Sequence, residues 1–434
     1  MAVCNLTENT KDLLELEGQH TVGGYDPMPA FIVRAQGVKL WDVDGKEYLD
    51  FTSMFGAVNQ GHSHPTIVGA VIEQMRTASL INSAAHTAIW PAFAKMMCQR
   101  FKYDKIVPTV SGTDAVESAC KIARKWGIQV KGIAASDVLI LGVAGCYHGL
   151  STAMWSLQDS SLKRDAYGIG DEHHLSYNPT TGEPLRYGDV EAMRVCLDRH
   201  HARVAAVVLE CVRGHLPTAA EEIAYATAVY DMCKSRKILF IADEVRMGCG
   251  KTGRFLCCEH LGDSRRPDMV ALGKSISGGM YPASYVLGSG ECMDLVETKE
   301  ILSTFSFSPI AVAATSASLR VLDDENLVAR ARTIEEMVVS ETSLWDFWLV
   351  DHVTVRGADF GIWLRGVDQG TCRLICELCM QNGLLVFPSP LRIRMSVAMV
   401  MTDKELLEGL RILKEALGIV SLRLGSPVSN SPAT

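Results

Sequence analysis

Short runs of apolar residues alternate with longer amphipathic stretches through the middle of the chain. The apolar runs lie at 138–142, 204–209, 238–242 and 269–272, and helical patterns such as 219–236 separate them. Buried strands that alternate with helices predict an α/β fold with a largely parallel sheet covered on both faces. Ligands of such sheets bind beyond the carboxyl ends of the strands, so we expect the functional residues there.

The two ends of the chain have a different pattern. Apolar positions flank the turn signal Asp44-Gly45 within 37–51, which predicts a hairpin. A long helical stretch at 309–345 precedes a mixed region, with strand signals at 353–364 and 384–396 and helical patterns at 371–382 and 403–416. We therefore predict a large central domain and a smaller α+β domain built from both termini.

The domain limits follow from these changes of pattern. The first 60 residues are assigned to the small domain, 61–315 to the large domain and 316–424 again to the small domain. The last ten residues, 425–434, are rich in Ser and Pro, which predicts a disordered tail.

Charge and composition exclude several classes of protein. A formal net charge of -8 argues against a broad basic surface for nucleic acid. No uncharged apolar window reaches about 18 residues, so we predict no membrane span, and the N-terminal stretch resembles neither a secretory signal nor a transit peptide. The expected location is the cytoplasm.

The 14 cysteines are scattered, and several lie inside apolar runs. Free cysteine is a common core residue, so most are interpreted as reduced and buried. Cys372, Cys376 and Cys379 have helical spacing, but no histidine or paired cysteine motif lies nearby. Core packing is the preferred interpretation, and no metal site is predicted.

Three segments of the predicted sheet carry candidate chemistry. In 111–127 a small turn with Ser111 and Gly112 opens a strong helix pattern, which suits a phosphate site; an ordinary helix cap is the alternative. In 238–255 a buried strand ends in Asp243 and Glu244, and an ionised carboxylate at a desolvated strand end needs a cationic partner. A salt bridge or a metal carboxylate would also explain that pair.

The third segment, 267–288, delivers Lys274 into a Gly- and Ser-rich loop. A lysine that loses solvent there gains the lowered pKa that covalent catalysis needs, although an exposed lysine is the simpler interpretation of this feature alone. Together the three segments supply a lysine, an acid and an anion cradle, which are the groups that pyridoxal 5'-phosphate requires.

The sequence resembles the fold-type I, class III aminotransferases, with the ornithine aminotransferases nearest among them. The stretches that carry the resemblance are GVKLWDVDGKEYLDF, AVNQGHSHP, ESACKIARKWG, FIADEV with TGRF, and LGKSISGGMYP. The resemblance covers about residues 25–418. It implies a seven-stranded-type, mostly parallel central sheet flanked by helices, with a small α+β domain beside it.

The resemblance also implies roles for single residues around the cofactor. Lys274 looks like the Schiff-base lysine and Asp243 like the partner of the pyridine nitrogen. The phosphate cup matches Ser111, Gly112 and Thr113, and Tyr147 matches the aromatic ring that stacks on the cofactor. Thr304 matches a residue that reaches the phosphate from the neighbouring subunit, which implies a homodimer with shared active sites.

Substrate-side positions depart from the ornithine enzymes. Arg394 matches an arginine that meets a substrate carboxylate, and Tyr25 matches a substrate-side tyrosine. Phe55 stands at the position of a tyrosine that recognises ornithine, His148 replaces a pocket aromatic, and Glu210 matches an acidic residue near the site.

Two further departures concern charge. Arg246 stands where the family has glutamine, which adds a positive charge near the cofactor. His215 stands where the family has the glutamate that masks the position of Arg394. The cofactor residues are kept and the substrate pocket is altered, so we predict an amino donor other than ornithine.

Transamination between an amino acid or amine and a keto or aldehyde acceptor is the leading hypothesis. Racemisation or epimerisation of an amino acid on the same fold is the alternative, and it requires a second acid/base such as His148 or His215. A non-catalytic partner subunit is the third hypothesis, and intact Lys274 and Asp243 argue against it.

Overall fold

The computed structural model describes residues 6–24, 26–158, 166–170 and 172–425. Tyr25 and the tail from 426 onward lie outside this part of the chain. The strands are β1 (Ile32–Gln36), β2 (Lys39–Asp42), β3 (Glu47–Asp50), β4 (Lys105–Thr109), β5 (Leu139–Leu141), β6 (His174–Leu175), β7 (Val204–Leu209), β8 (Leu239–Asp243), β9 (Met269–Leu272), β10 (Ser284–Gly288), β11 (Val350–Arg356), β12 (Asp359–Leu364), β13 (Leu384–Leu385), β14 (Phe387–Ser389) and β15 (Arg392–Ser396).

Helices cover much of the rest of the described chain. They are Glu8–His20, Pro65–Thr77, Trp90–Phe101, Gly112–Gln129, Val190–His200, Ala219–Ser235, Gly290–Met293, Pro309–Asp324, Leu327–Thr342, Gln369–Gln381 and Asp403–Leu424. The helical stretch predicted at 309–345 is two helices, because Asn326 adopts a left-handed φ of 52° between them. Among the described helices, none combines the length and apolarity that crossing a bilayer requires.

The chain divides into two compact units. One unit comprises the residues up to Ser63 and those from Arg330 onward, and the other is His64–Ala329. The His64–Ala329 unit contains a seven-stranded sheet in the order β4-β10-β9-β8-β7-β5-β6. β10 runs antiparallel to both of its neighbours, β4 and β9, and the pairs β9–β8, β8–β7, β7–β5 and β5–β6 are parallel. The predicted α/β class with a mostly parallel sheet is confirmed.

Burial explains why the central strands appear in the sequence as continuous apolar runs. Every residue of β7, β8 and β9 is buried, as expected for parallel strands covered on both faces. The helix Gly112–Gln129 packs closely on one face, where a Cβ at Gly127 would lie 2.7 Å from the Cβ of Ala205. The helix and sheet together enclose the main apolar core of this unit.

The other unit holds two smaller sheets. The predicted hairpin is present as β2 and β3, whose register pairs Leu40 with Tyr48, and this sheet has the order β1-β2-β3-β13. The second sheet is antiparallel, with the order β11-β12-β15-β14. Both ends of the described chain contribute to this unit, because β13 from the C-terminal part pairs with β3.

Candidate active site

Asp243 and Lys274 leave neighbouring parallel strands at the same edge of the large sheet. Asp243 is the last residue of β8 and lies opposite Ala271 of β9, and the next backbone N–H, of Glu244, donates to the Ala271 carbonyl at 2.9 Å. Lys274 follows β9 after Gly273 and has a left-handed φ of 47°. Strained backbone of this kind is concentrated at functional sites, so the lysine sits where chemistry is expected.

The start of the helix Gly112–Gln129 packs against both strand ends. A Cβ at Gly112 would lie 2.5 Å from Cγ1 of Val245, and a Cβ at Gly273 would lie 3.2 Å from the same atom and 3.4 Å from the Gly112 Cα. Val245 lies two residues after Asp243, and Gly273 immediately precedes Lys274. The predicted phosphate turn, the acid and the lysine are therefore brought together, and glycine at 112 and 273 permits the close approach.

A loop that contains Tyr147 and His148 closes on the same turn. Gly149 has a φ of 110°, and a Cβ there would lie 2.1 Å from Oγ1 of Thr113. The Tyr147 side chain is 57% exposed, whereas its backbone N–H donates to Oε2 of Glu210 at 2.9 Å. The loop is thus held at its backbone while an aromatic face stays available for a ligand.

His148 is buried and bonded to Asp243. Its Nδ1 lies 2.7 Å from Oδ2 of Asp243, and Oδ1 of Asp243 accepts the Val245 N–H at 3.0 Å. Burial opposes charge on the ring, but the hydrogen bond to Asp243 and the nearby Cys146 thiol outweigh it and raise the pKa of His148 to about 10. The imidazole is therefore protonated at neutral pH and donates its Nδ1 proton to the Asp243 carboxylate.

Glu210 lies beyond the end of β7 between two arginines. Its carboxylate is 3.8 Å from Nε of Arg213 and 3.6 Å from Nε of Arg246, and Nη2 of Arg246 donates to the Arg213 carbonyl at 2.7 Å. Burial favours the protonated acid, but Arg246, Arg213 and His148 together hold the pKa of Glu210 down at about 2. Glu210 is an ionised anchor for the loop that carries Tyr147.

The loop after Glu210 is organised by a second buried carboxylate. Glu222, in the helix Ala219–Ser235, accepts the backbone N–H groups of four consecutive residues from Arg213 to Leu216, at 2.5–3.1 Å. The side chain of His215 is exposed, and its ring lies 6.0 Å from that of Tyr187. Glu222 therefore determines the path of the segment that places Arg213 and His215.

Two predicted substrate residues meet in the unit built from both termini. The Arg394 guanidinium lies 5.5 Å from the centre of the Phe55 ring, and that ring packs edge-to-face on Phe387 at 4.9 Å. Arg394 is in β15 and pairs in register with Phe387 of β14.

Two further predicted residues are Thr304 and Tyr25. Thr304 is exposed in a turn closed by a hydrogen bond from the Ser306 N–H to the Ser303 carbonyl. Tyr25 lies outside the described part of the chain.

Sequence patterns alone did not single out several residues that shape the site. Arg213 follows Glu210 by three positions, Glu222 lies inside an ordinary amphipathic helix, and Val245 is one apolar residue among many. Of these three residues, only Arg213 could have been found in the sequence, because its charge lies three positions after Glu210. The roles of Glu222 and Val245 depend on backbone placement, which no short motif encodes.

The donor set fits pyridoxal 5'-phosphate. A helix N-terminus opens at Gly112, and backbone N–H groups at such an end can donate to a phosphate. A buried carboxylate, a half-exposed aromatic ring and a lysine stand around it, and Nε2 of His148 is buried without a hydrogen-bond partner in the described part of the chain. Within the same residues no cluster of three or more His, Cys, Asp or Glu side chains is arranged to hold a metal ion.

Comparison with known proteins agrees with this chemistry. Residues 21–417 match the model of the aminotransferase class-III family. The ornithine aminotransferase of Schizosaccharomyces pombe is 33% identical over 98% of this chain and 98% of its own length. That of Emericella nidulans is 34% identical over 94% of this chain and 90% of its own length.

Solved structures give the same result. Acetylornithine aminotransferase from Elizabethkingia anophelis superposes with a TM-score of 0.82 at 32% identity, covering 95% of this chain and all of that one. Ornithine aminotransferase from Toxoplasma gondii, a structure with partial occupancy of pyridoxal phosphate at its active site, superposes with a TM-score of 0.85 at 26% identity and 95% coverage of both chains.

Proposed function

The chain belongs to the class III aminotransferases, and on this premise we propose that Lys274 and Asp243 are its catalytic pair. The protein is a pyridoxal-5'-phosphate-dependent aminotransferase, which moves an amino group from a donor to a keto or aldehyde acceptor. The observation that carries the residue assignment is the β8–β9 register, which sets Asp243 beside Ala271, three residues before Lys274.

When bound, the cofactor supplies an aldehyde carbon that takes the amino group and a protonated ring that withdraws electrons from the reacting carbon. We assign the phosphate to the turn of Ser111, Gly112 and Thr113 and the ring face to Tyr147. Asp243 would hold the proton on the ring nitrogen, and the hydrogen bond from Nδ1 of His148 at 2.7 Å fixes the position of its carboxylate. Arg246 contributes positive charge beside Glu210.

Lys274 moves the proton of the reaction. Its Nζ would remove a proton from the donor carbon that bears the amino group, as general base, and would deliver it, as general acid, to the cofactor carbon that receives the amino group. A general acid/base must reach the atom it serves, and the short turn Lys274–Ser277 at the strand end presents the lysine at the edge where ligands of parallel sheets bind.

Replacement of Lys274 by Ala tests the assignment. We expect amino transfer to be abolished and the visible absorbance of the covalently held cofactor to be lost. Lys299→Ala is the matched control, because Lys299 is an exposed lysine of the same unit with a left-handed φ of 70°. Retained transfer in Lys274→Ala, or equal losses in both variants, would refute the role of Lys274.

The geometry around His148 favours amino transfer over racemisation. Racemisation needs a second acid/base that reaches the donor carbon, and His148 is buried with Nδ1 bonded to Asp243. Incubation of one amino acid enantiomer without a keto acid separates the two reactions. Amino transfer stops after one turnover, whereas racemisation continues.

We also propose that the amino donor is not ornithine, and that its carboxylate binds Arg394. Phe55 beside Arg394 supports this, because a phenyl ring offers no hydroxyl to a distal ammonium. Tyr25, Glu210 and His215 are further proposed pocket residues. A screen of amino donors that follows conversion of the cofactor absorbance identifies the donor, and ornithine as the fastest donor would contradict the proposal.

A homodimer is proposed from the role assigned to Thr304. Thr304 and the neighbouring Phe305 are exposed, and Phe305 is a large apolar side chain. Light scattering should give twice the chain mass, and Thr304→Ala should weaken cofactor binding without changing that mass. A monomer with full activity would exclude shared sites. The cytoplasmic location stays a prediction.

A further inference from the structure

Three consecutive residues at Phe55 have strained backbone. Ser53, Met54 and Phe55 have φ angles of 44°, 47° and 59°, and Gly56 continues with 78°. Left-handed backbone costs free energy in every residue except glycine. Such strain persists only where surrounding groups hold it, and it is concentrated at sites of function.

Asp50 holds this turn. Its buried Oδ1 accepts the Thr52 hydroxyl at 2.6 Å and the N–H groups of Thr52 and Ser53 at 2.7 and 3.0 Å. Its Oδ2 lies 2.8 Å from Nε2 of His62. The Thr52 hydroxyl in turn accepts the Met54 N–H at 3.2 Å. Three hydrogen bonds from the turn to this carboxylate therefore offset the backbone strain, and the fourth, with His62, fixes the carboxylate itself.

The turn presents an aromatic ring to solvent beside a cation. Phe55 is 39% exposed although it packs on Phe387, and the neighbouring Met54 is 38% exposed. The Arg394 guanidinium lies 5.5 Å from the Phe55 ring centre. A guanidinium group thus stands beside an apolar surface that a strained turn exposes.

We propose that Phe55 and Phe387 are specificity-determining residues that select a substrate with an apolar or aromatic side chain. This inference rests on the proposed function, because it takes Arg394 as the group that binds the substrate carboxylate. A polar substrate side chain that binds there loses its hydrogen bonds to water, and the two phenyl rings provide none in exchange. A cationic side chain there is repelled by Arg394, whose guanidinium already lies at the Phe55 ring. Asp50 is a positioning residue that acts through the turn.

Binding of unreactive carboxylates to the holoenzyme tests this selection without turnover. Hexanoate, 6-aminohexanoate and adipate have the same chain length and differ only at the far end. By titration calorimetry we expect hexanoate to bind at least about tenfold more tightly than the other two. Phe55→Ala and Phe387→Ala should each remove most of that preference and leave the two polar ligands nearly unchanged.

Phe347→Ala is the control, because Phe347 is a phenylalanine of the same unit that packs on Trp345. It should keep the preference for hexanoate. Asp50→Asn should reduce the preference while Arg394 still binds all three carboxylates. The inference is overturned if 6-aminohexanoate or adipate binds as tightly as hexanoate, if none of the three binds, or if the phenylalanine variants weaken all three equally.

Donor kinetics separate this failure from failure of the proposed function. If amino donors convert the cofactor in a Lys274-dependent manner without preference for apolar side chains, only the inference on Phe55 and Phe387 fails. If Lys274→Ala still transfers amino groups, the proposed function fails whatever the carboxylates show.

Discussion

Nδ1 of His148 lies 2.7 Å from Oδ2 of Asp243, and both side chains are buried at the edge of the large sheet. A protonated imidazole at this distance stabilises the carboxylate that would face the cofactor ring nitrogen. Because the pair is enclosed, loss of either member leaves a buried charge without compensation.

Replacement of His148 by Phe should lower kcat about 10- to 100-fold, since an unpaired buried carboxylate costs about 1.5–3 kcal/mol. KM should change less, because the pair lies on the cofactor side. Stopped-flow measurement of the donor half-reaction checks this. His148→Gln, which can donate a hydrogen bond to Asp243, should recover part of kcat; equal rates in the His148→Phe variant and the native enzyme would contradict the role.

The same pair makes stability depend on alkaline pH. The pKa of His148 is raised from 6.5 to about 10 in the folded protein, so its contribution is full below pH 6.5 and is lost as pH rises through 10. Urea unfolding of the native protein should show this decline, and His148→Gln should show less of it. A parallel decline in both proteins would assign the effect to other groups.

Replacement of Glu210 by Gln should destabilise the fold, because it leaves Arg213 and Arg246 facing each other without an anion. Removal of one partner of a buried ion pair costs about 3–5 kcal/mol. The pKa of Glu210 is lowered to about 2, so the contribution is present above pH 4.5 and is lost as pH falls toward 2. Denaturant titrations between pH 7 and 3 should show a flatter profile in the variant, and an unchanged profile would rule out this source of acid sensitivity.

Gly149 is expected to accept no side chain. Gly149→Ala places a Cβ 2.1 Å from Oγ1 of Thr113 in a left-handed residue, which should cost about 1–3 kcal/mol for overpacking and weaken cofactor binding through the phosphate turn. Gly182→Ala is the control, because Gly182 has a φ of 73° and nothing within 4 Å of its added Cβ. If both variants have equal unfolding free energies and equal cofactor affinities, then backbone strain, and not the contact with Thr113, causes the effect of Gly149→Ala.

Glu222→Gln should loosen the loop that carries Arg213 and His215. The variant keeps the shape of the side chain but loses the charge that four backbone N–H groups share, so amide hydrogens at 213–216 should exchange faster. Glu221→Gln changes the neighbouring residue, which caps the same helix at Thr218. Faster exchange at 213–216 in Glu221→Gln as well would mean that the whole helix start, and not Glu222, holds the loop.

The amino-acid sequence alone determined the fold class and the cofactor chemistry. Fully apolar runs such as 204–209 have one stable placement, inside a sheet covered on both faces, and motif residues that follow such runs must lie at the sheet edge. The positions of Asp243 and Lys274 could be predicted for this reason, since each depends on a strand end only a few residues away.

Only the tertiary structure decided which groups surround those residues. Glu210 and Arg246 are 36 positions apart, and Asp243 and His148 are 95 apart. Their contacts arise because the parallel strands β5, β7 and β8 end at the same edge of the sheet although long helical connections separate them in the chain. The same holds for Phe55 and Arg394, which meet because strands from both termini share one unit. A local sequence pattern does not encode pairs of residues this far apart in the chain. The partners of the buried charges, and the residues beside Arg394, could therefore be identified only from the tertiary structure.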